Sequence, residues 1–125
     1  MRKIVLLILG VCIAAAVSGE TLRVPRRKPL TARVGIVGVG HHTYWGQFPG
    51  LLDVMNKKLD TFETMVKTNE VETFRFGLLD KAADAYAALP KMKAADLDLL
   101  FVDMVTYATS STFAVLARDL NVPIV

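Results

Sequence analysis

The stretch from Val34 to Gly50, VGIVGVGHHTYWGQFPG, constrains this chain more than any other. A tight apolar run from Val34 to Val39 is interrupted by glycines at Gly35 and Gly38 and closed by Gly40. Near-continuous apolar character marks a strand buried on both faces, as in a parallel sheet. The run gives way at once to His41, His42, Thr43, Tyr44 and Trp45, then Gly46, Gln47, Phe48, Pro49 and Gly50. This reads as a buried strand that ends in a polar and aromatic loop and opens a helix. In open α/β sheets, ligands bind beyond the carboxyl ends of the strands, so this loop is the first candidate site.

The rest of the chain repeats strand and helix around that unit. From Pro49 to Lys67, apolar residues recur at Leu51, Leu52, Met55, Leu59, Phe62, Met65 and Val66, the spacing of an amphipathic helix. Pro49 suits its first turn and Asn69 its end. Val71 to Leu78 reads as a second strand, and its charges at Glu72 and Arg75 predict a more exposed position than the first. Asp80 offers an N-cap for a helix over Lys81 to Ala95, which Pro90 is expected to kink or divide. Leu97 to Val102 reads as a third strand, followed by a second polar loop from Asp103 to Thr112 whose Ser/Thr run can cap a helix over Phe113 to Leu120. Val122 to Val125 begins a fourth strand. The expected fold is α/β, a Rossmann-like parallel sheet of about four strands with flanking helices and right-handed crossovers. Because the chain stops inside the fourth strand, the sheet is expected to be incomplete at its C-terminus, as in the N-terminal part of a longer protein.

The 125 residues fit one small domain. Met1 to Ser18 has the layout of a secretory signal: Arg2 and Lys3, an apolar run from Ile4 to Val17, and small residues at Ala16 and Ser18. That run is shorter than the roughly 20 residues a membrane-spanning helix needs. Export to the periplasm or the exterior is the expected localisation, and residues 19–32, with Pro25 and Pro29 among basic residues, are a linker to a domain over 33–125. Loss of the signal takes Lys+Arg from 15 to 13 against 12 acidic residues, leaving +1. No basic stripe interleaved with aromatics exists, so nucleic acid is excluded as a partner. The single cysteine, Cys12, lies in the signal, which removes disulfide and thiolate chemistry from the domain.

Within the first loop, Gly38 and Gly40 match part of a dinucleotide fingerprint, but Thr43 stands where the third glycine belongs. His41 and His42 would point to opposite sides of an extended segment, so a metal site complete within these residues is not expected. Tyr44 and Trp45 next to Gln47 form a sugar-contact type of set: an aromatic face against sugar C–H groups, with amide and imidazole groups for hydroxyls. Thr106 and Tyr107, at the end of the third strand, would face the same cleft, because the ends of strands one and three meet at a switch point. Ser110 and Ser111 lack a nucleophile elbow. Of Asp96, Asp98 and Asp103, only Asp103 stands at a strand's carboxyl end, the place for a site.

The two loops carry a family resemblance. GVGHHTYWGQFPGLL resembles the N-terminal strand-loop-helix of the L-fucose/L-arabinose isomerase family, with its G-x-G-x-x-T-Y-W-x-Q-F-x-G-L pattern. ADLDLLFVDMVTYATSSTFAVLARDLNVPIV resembles that family's next segment, and together the two span Arg33 to Val125. The resemblance implies aldose–ketose isomerisation of a free sugar, with a divalent manganese ion held by glutamates and histidines of later domains outside this chain. It implies substrate contact by His42, Thr43, Tyr44, Gln47, Thr106 and Tyr107, no catalytic residue within the chain, and a homo-oligomer in the full-length protein. The family is typically cytoplasmic, whereas this chain opens with an export-type segment, and His41-His42 replaces residues usually less basic. The alternative reading is the first lobe of an exported, periplasmic-type sugar-binding protein. Such proteins also carry a signal and begin with a V-G-I-V-type strand.

Overall fold

The computed structural model describes residues 31–125; the expected signal and nearly all of the expected linker, through residue 30, lie outside them. The elements run β1 (Arg33–Val39), α1 (Thr43–Gln47), α2 (Leu51–Lys67), β2 (Glu72–Leu79), α3 (Ala82–Ala94), β3 (Leu99–Met104) and α4 (Ser110–Asp119). The strands form one parallel sheet in the order β2-β1-β3. The expected α/β class is therefore present, with three strands rather than four. Val122 to Val125 follows the outer edge of β3 as a single parallel bridge, Leu100 to Ile124, with the Val125 N–H donating to the Leu100 carbonyl at 3.0 Å. Pro123 has no N–H to give a ladder, which limits this segment to partial pairing. Among the described residues, no helix is long and apolar enough to cross a membrane.

The central position of β1 explains its composition. Six of its seven residues, Val34 to Val39, are buried. Val37 and Val39 face a cluster built with Leu79, Ala85, Leu89, Met92, Leu100, Val115 and Leu116, so α3 and α4 cover this side. On the other side α2 lies over the sheet and buries Leu59, while Phe62 meets Phe101 edge-on at 5.3 Å. Glycines let both layers come close: a Cβ at Gly35 would stand 2.7 Å from Leu97 and Leu100, and one at Gly38 would stand 2.6 Å from Leu59.

β2 is the edge strand that its charges predict, and it does not keep one register. Ile36 pairs with Arg75 but Gly38 pairs with Leu78, so β2 carries one extra residue. Gly77 absorbs it at φ 76°, a left-handed conformation that favours glycine. The bulge resets the alternation of side chains. Thr73 and Arg75 face α2, and Phe74 and Phe76 face α3; beyond Gly77, Leu78 turns to Gly38 on the α2 side and Leu79 joins the α3 core.

Four local expectations are corrected. α2 starts at Leu51 after a left-handed Gly50 (φ 85°), so Pro49 lies in the preceding turn. At its other end Asn69 caps as expected, its side-chain amide donating to the Met65 and Val66 carbonyls. α3 begins at Ala82 with Lys81 as N-cap and runs unbroken through Pro90, whose unmet carbonyl partner, on Tyr86, lies on the exposed side of the helix. β3 starts two residues later than expected, at Leu99; just before it, the Asp98 N–H donates to the Arg33 carbonyl and the Asp98 carboxylate accepts the Arg33 N–H, both at 2.8 Å. α4 starts at Ser110, placing Ser111 and Thr112 within its first turn. Its N-cap Thr109 makes no capping bond, and its hydroxyl pairs instead with that of Ser111 at 2.8 Å.

Candidate functional site at the ends of the first and third strands

The loop after β1 is not extended. His42 adopts φ −54°, ψ −28°, and the chain coils directly into α1. Coiling overturns the expected divergence of the two histidines: their rings stack with centroids 4.6 Å apart and planes at 21°. The Thr43 N–H donates to His41 Nδ1 at 3.3 Å, which leaves Nε2 as the nitrogen a neutral ring uses to donate. His41 also sets its edge toward Tyr44, whose ring stacks on Phe48.

The loop after β3 closes against this one. Thr106 Oγ1 accepts the His41 backbone N–H at 3.1 Å and donates to the Tyr107 carbonyl at 3.2 Å. The Val105 N–H reaches the Val39 carbonyl at 3.0 Å. Between the loops lies an open cleft of about 240 Å³, lined by His41, Thr43, Tyr44, Gln47 and Tyr107. Helical spacing accounts for one wall: Gln47 stands four residues after Thr43 and three after Tyr44, which places it beside both on one side of α1. Tyr107 forms the other wall and is 76% exposed.

Four of the six sequence-derived contact residues, Thr43, Tyr44, Gln47 and Tyr107, thus share one cleft. Thr106 is not on its lining and acts as the stitch between the loops. His42 is also off the lining, and His41 takes the position expected of it, because the helical turn rotates the second histidine outward. Trp45, grouped with the sugar-contact aromatics from sequence, points the other way. Its indole N–H donates to Asp80 Oδ2 at 2.6 Å, and its ring lies against Gly40, where a Cβ would meet it at 3.0 Å. Asp80 is thereby removed from its expected capping role. No local pattern signals a bond between residues 35 positions apart. His41 was visible in sequence as one of a pair, but not which of the two would face inward.

The chemistry of this cleft is that of hydrogen bonding and aromatic contact. Its lining carries no carboxylate. Asp103 turns instead to the α2 face, where it pairs with Lys58 at 3.1 Å. A larger cleft of about 330 Å³ opens there, lined by Lys58, Phe62, Phe101, Val102, Asp103 and Val125. Its two charged groups satisfy each other, leaving apolar walls without convergent polar groups. The smaller cleft has the polar groups that orient a ligand.

The described residues contain no group of three or more histidines, cysteines or carboxylates placed to hold a metal ion. The stacked histidines offer two rings, and one nitrogen already accepts the Thr43 N–H. This donor set does not fit a manganese ion. Comparison with models of known families, with curated proteins and with solved structures finds no match to this chain.

Proposed function

We propose that this chain presents a substrate-contacting surface for an aldose–ketose sugar isomerase of the L-fucose/L-arabinose type, and is inactive by itself. The single observation that carries the reading is the convergence of the two resembling blocks. Gln47 and Tyr107 are 60 residues apart in sequence, yet with Thr43 and Tyr44 they line one cleft at adjoining strand ends. The tyrosine rings would take the C–H face of a sugar, and the Gln47 amide, Thr43 hydroxyl and His41 imidazole would bond its hydroxyls. These groups bind and orient; none of them is assigned a proton transfer. The manganese ion and the acidic groups that move the proton are proposed to come from outside this chain, in a homo-oligomer. No step is routed through the two histidines.

A second reading is favoured by the N-terminal segment, whose export-type layout suits a sugar-binding lobe. It shares the cleft and differs in outcome, namely sugar capture without isomerisation in any assembly. Titration calorimetry with L-fucose and L-arabinose tests what the readings share. Weak binding is expected, reduced about tenfold by Tyr107→Ala, the scale of one aromatic contact. Stoichiometric manganese binding by the chain alone would contradict the isomerase reading, and absence of binding to any aldose would contradict both.

A further inference from the structure

α1 is five residues long and buries none of them. A helix this short does not hold itself together in water, and without a buried face it has no core packing to fix its direction. It nevertheless supplies one wall of the cleft, so something else must hold it. The end of β2 does so at two points. The Gly40 N–H donates to the Leu79 carbonyl at 3.0 Å, and at the next residue the Asp80 carboxylate takes the Trp45 indole N–H at 2.6 Å. Both Trp45 and Asp80 are half-buried, and the indole lies close on the Gly40 backbone, where an added Cβ would stand 3.0 Å from the ring and press on it. Trp45 is the sole tryptophan. It lies one residue from Tyr44, and a helix turns 100° per residue, so anchoring the indole toward β2 sets the direction in which Thr43, Tyr44 and Gln47 face.

We propose that Asp80 and Trp45 are positioning residues: a latch from the end of β2 that holds α1 so that its polar face lines the cleft. Neither touches the ligand. The proposal rests on the sugar-site reading only for its effect on affinity; its structural content stands apart from that reading.

The test uses the full chain and two observables. In nuclear magnetic resonance spectra, Asp80→Ala is expected to move the single indole N–H signal and, with it, the backbone amides of Thr43, Tyr44 and Gln47, while Asp80→Asn, which keeps an acceptor oxygen, restores them. Trp45→Phe keeps a ring against Gly40 without the N–H. It is expected to shift the same amides, and adding Asp80→Ala to it should shift them no further. Affinity for L-fucose or L-arabinose should fall about tenfold in Asp80→Ala and recover in Asp80→Asn, the scale of one hydrogen bond to a charged acceptor. An indole signal that moves while the α1 amides stay put would overturn the latch, as would Trp45→Phe with unaltered α1 amides. Failure of the unaltered chain to bind either sugar would instead refute the sugar-site reading, with the amide shifts still deciding the latch.

Discussion

The two faces of the sheet are built on different physics. The α3/α4 face is a packed apolar layer in which Leu100, Leu116, Met92, Val37 and Val39 are almost fully buried. On the α2 face, Leu59 is the one buried residue of a seventeen-residue helix, and much of the contact is ionic. Arg75 reaches Asp60 at 2.8 Å, Glu63 at 3.6 Å and the Asn56 carbonyl, while Lys58 pairs with Asp103. Burying a large aliphatic side chain contributes about 1.5–3 kcal/mol, whereas an exposed ion pair contributes about 0–1 kcal/mol. Cohesion is thus concentrated on one side of the sheet. The α3/α4 face carries the stability, and the loops above the sheet are free to carry polar groups.

Neighbours on β3 break this comparison most directly, since Leu100 and Phe101 point to opposite faces. Leu100→Ala is expected to cost about 3–4 kcal/mol, as a cavity in a closed core. Phe101→Ala should cost less than half of that, because its ring already borders the open cleft beside α2. Midpoints of denaturant unfolding for the two variants make the comparison, and equal losses would mean that both faces are packed alike. A smaller effect of opposite sign is expected at Thr112. This residue is 0% exposed in the apolar face, and its hydroxyl has no partner among the described residues. Thr112→Val removes a buried unsatisfied group at nearly constant shape and should raise stability by about 1 kcal/mol in the same unfolding experiment.

The smallest effect belongs to the ionic face and depends on pH. The hydrogen bond from Lys67 holds the Glu63 carboxyl below its ordinary range, with Thr73 and Arg75 acting the same way and burial opposing them. A depressed carboxyl stabilises the fold above its unfolded pKa, and the contribution disappears as pH falls through the folded value. Lys67→Met should therefore cost about 0.3–0.5 kcal/mol at neutral pH, as for other pairs at this helical spacing. The difference from the unaltered chain should close in acid, as followed by thermal unfolding across the pH range.

Apolar rhythm made the order of strands and helices legible in the sequence, because a doubly covered central strand leaves a signature such as that of Val34 to Val39. The edge position of β2 was legible for the same reason, in Glu72 and Arg75. What escaped depends on geometry that no local pattern encodes. Gly77 looks like any strand glycine until the register with β1 requires one residue too many. The coil at His42 decides which histidine faces the cleft, and a bond to Asp80 across the sheet turns Trp45 away from it. The candidate site was thus legible as two loops and four of its lining residues. Its orientation was not.

Whether the two loops form one sugar site is decided by a sugar titration of the isotopically labelled chain, followed residue by residue in amide spectra. With L-fucose or L-arabinose, shifts are expected to concentrate at residues 41–47 and 106–107, both loops responding with one common affinity. Shifts in one loop alone, shifts around Phe62 and Phe101 instead, or none at saturating sugar would contradict that expectation.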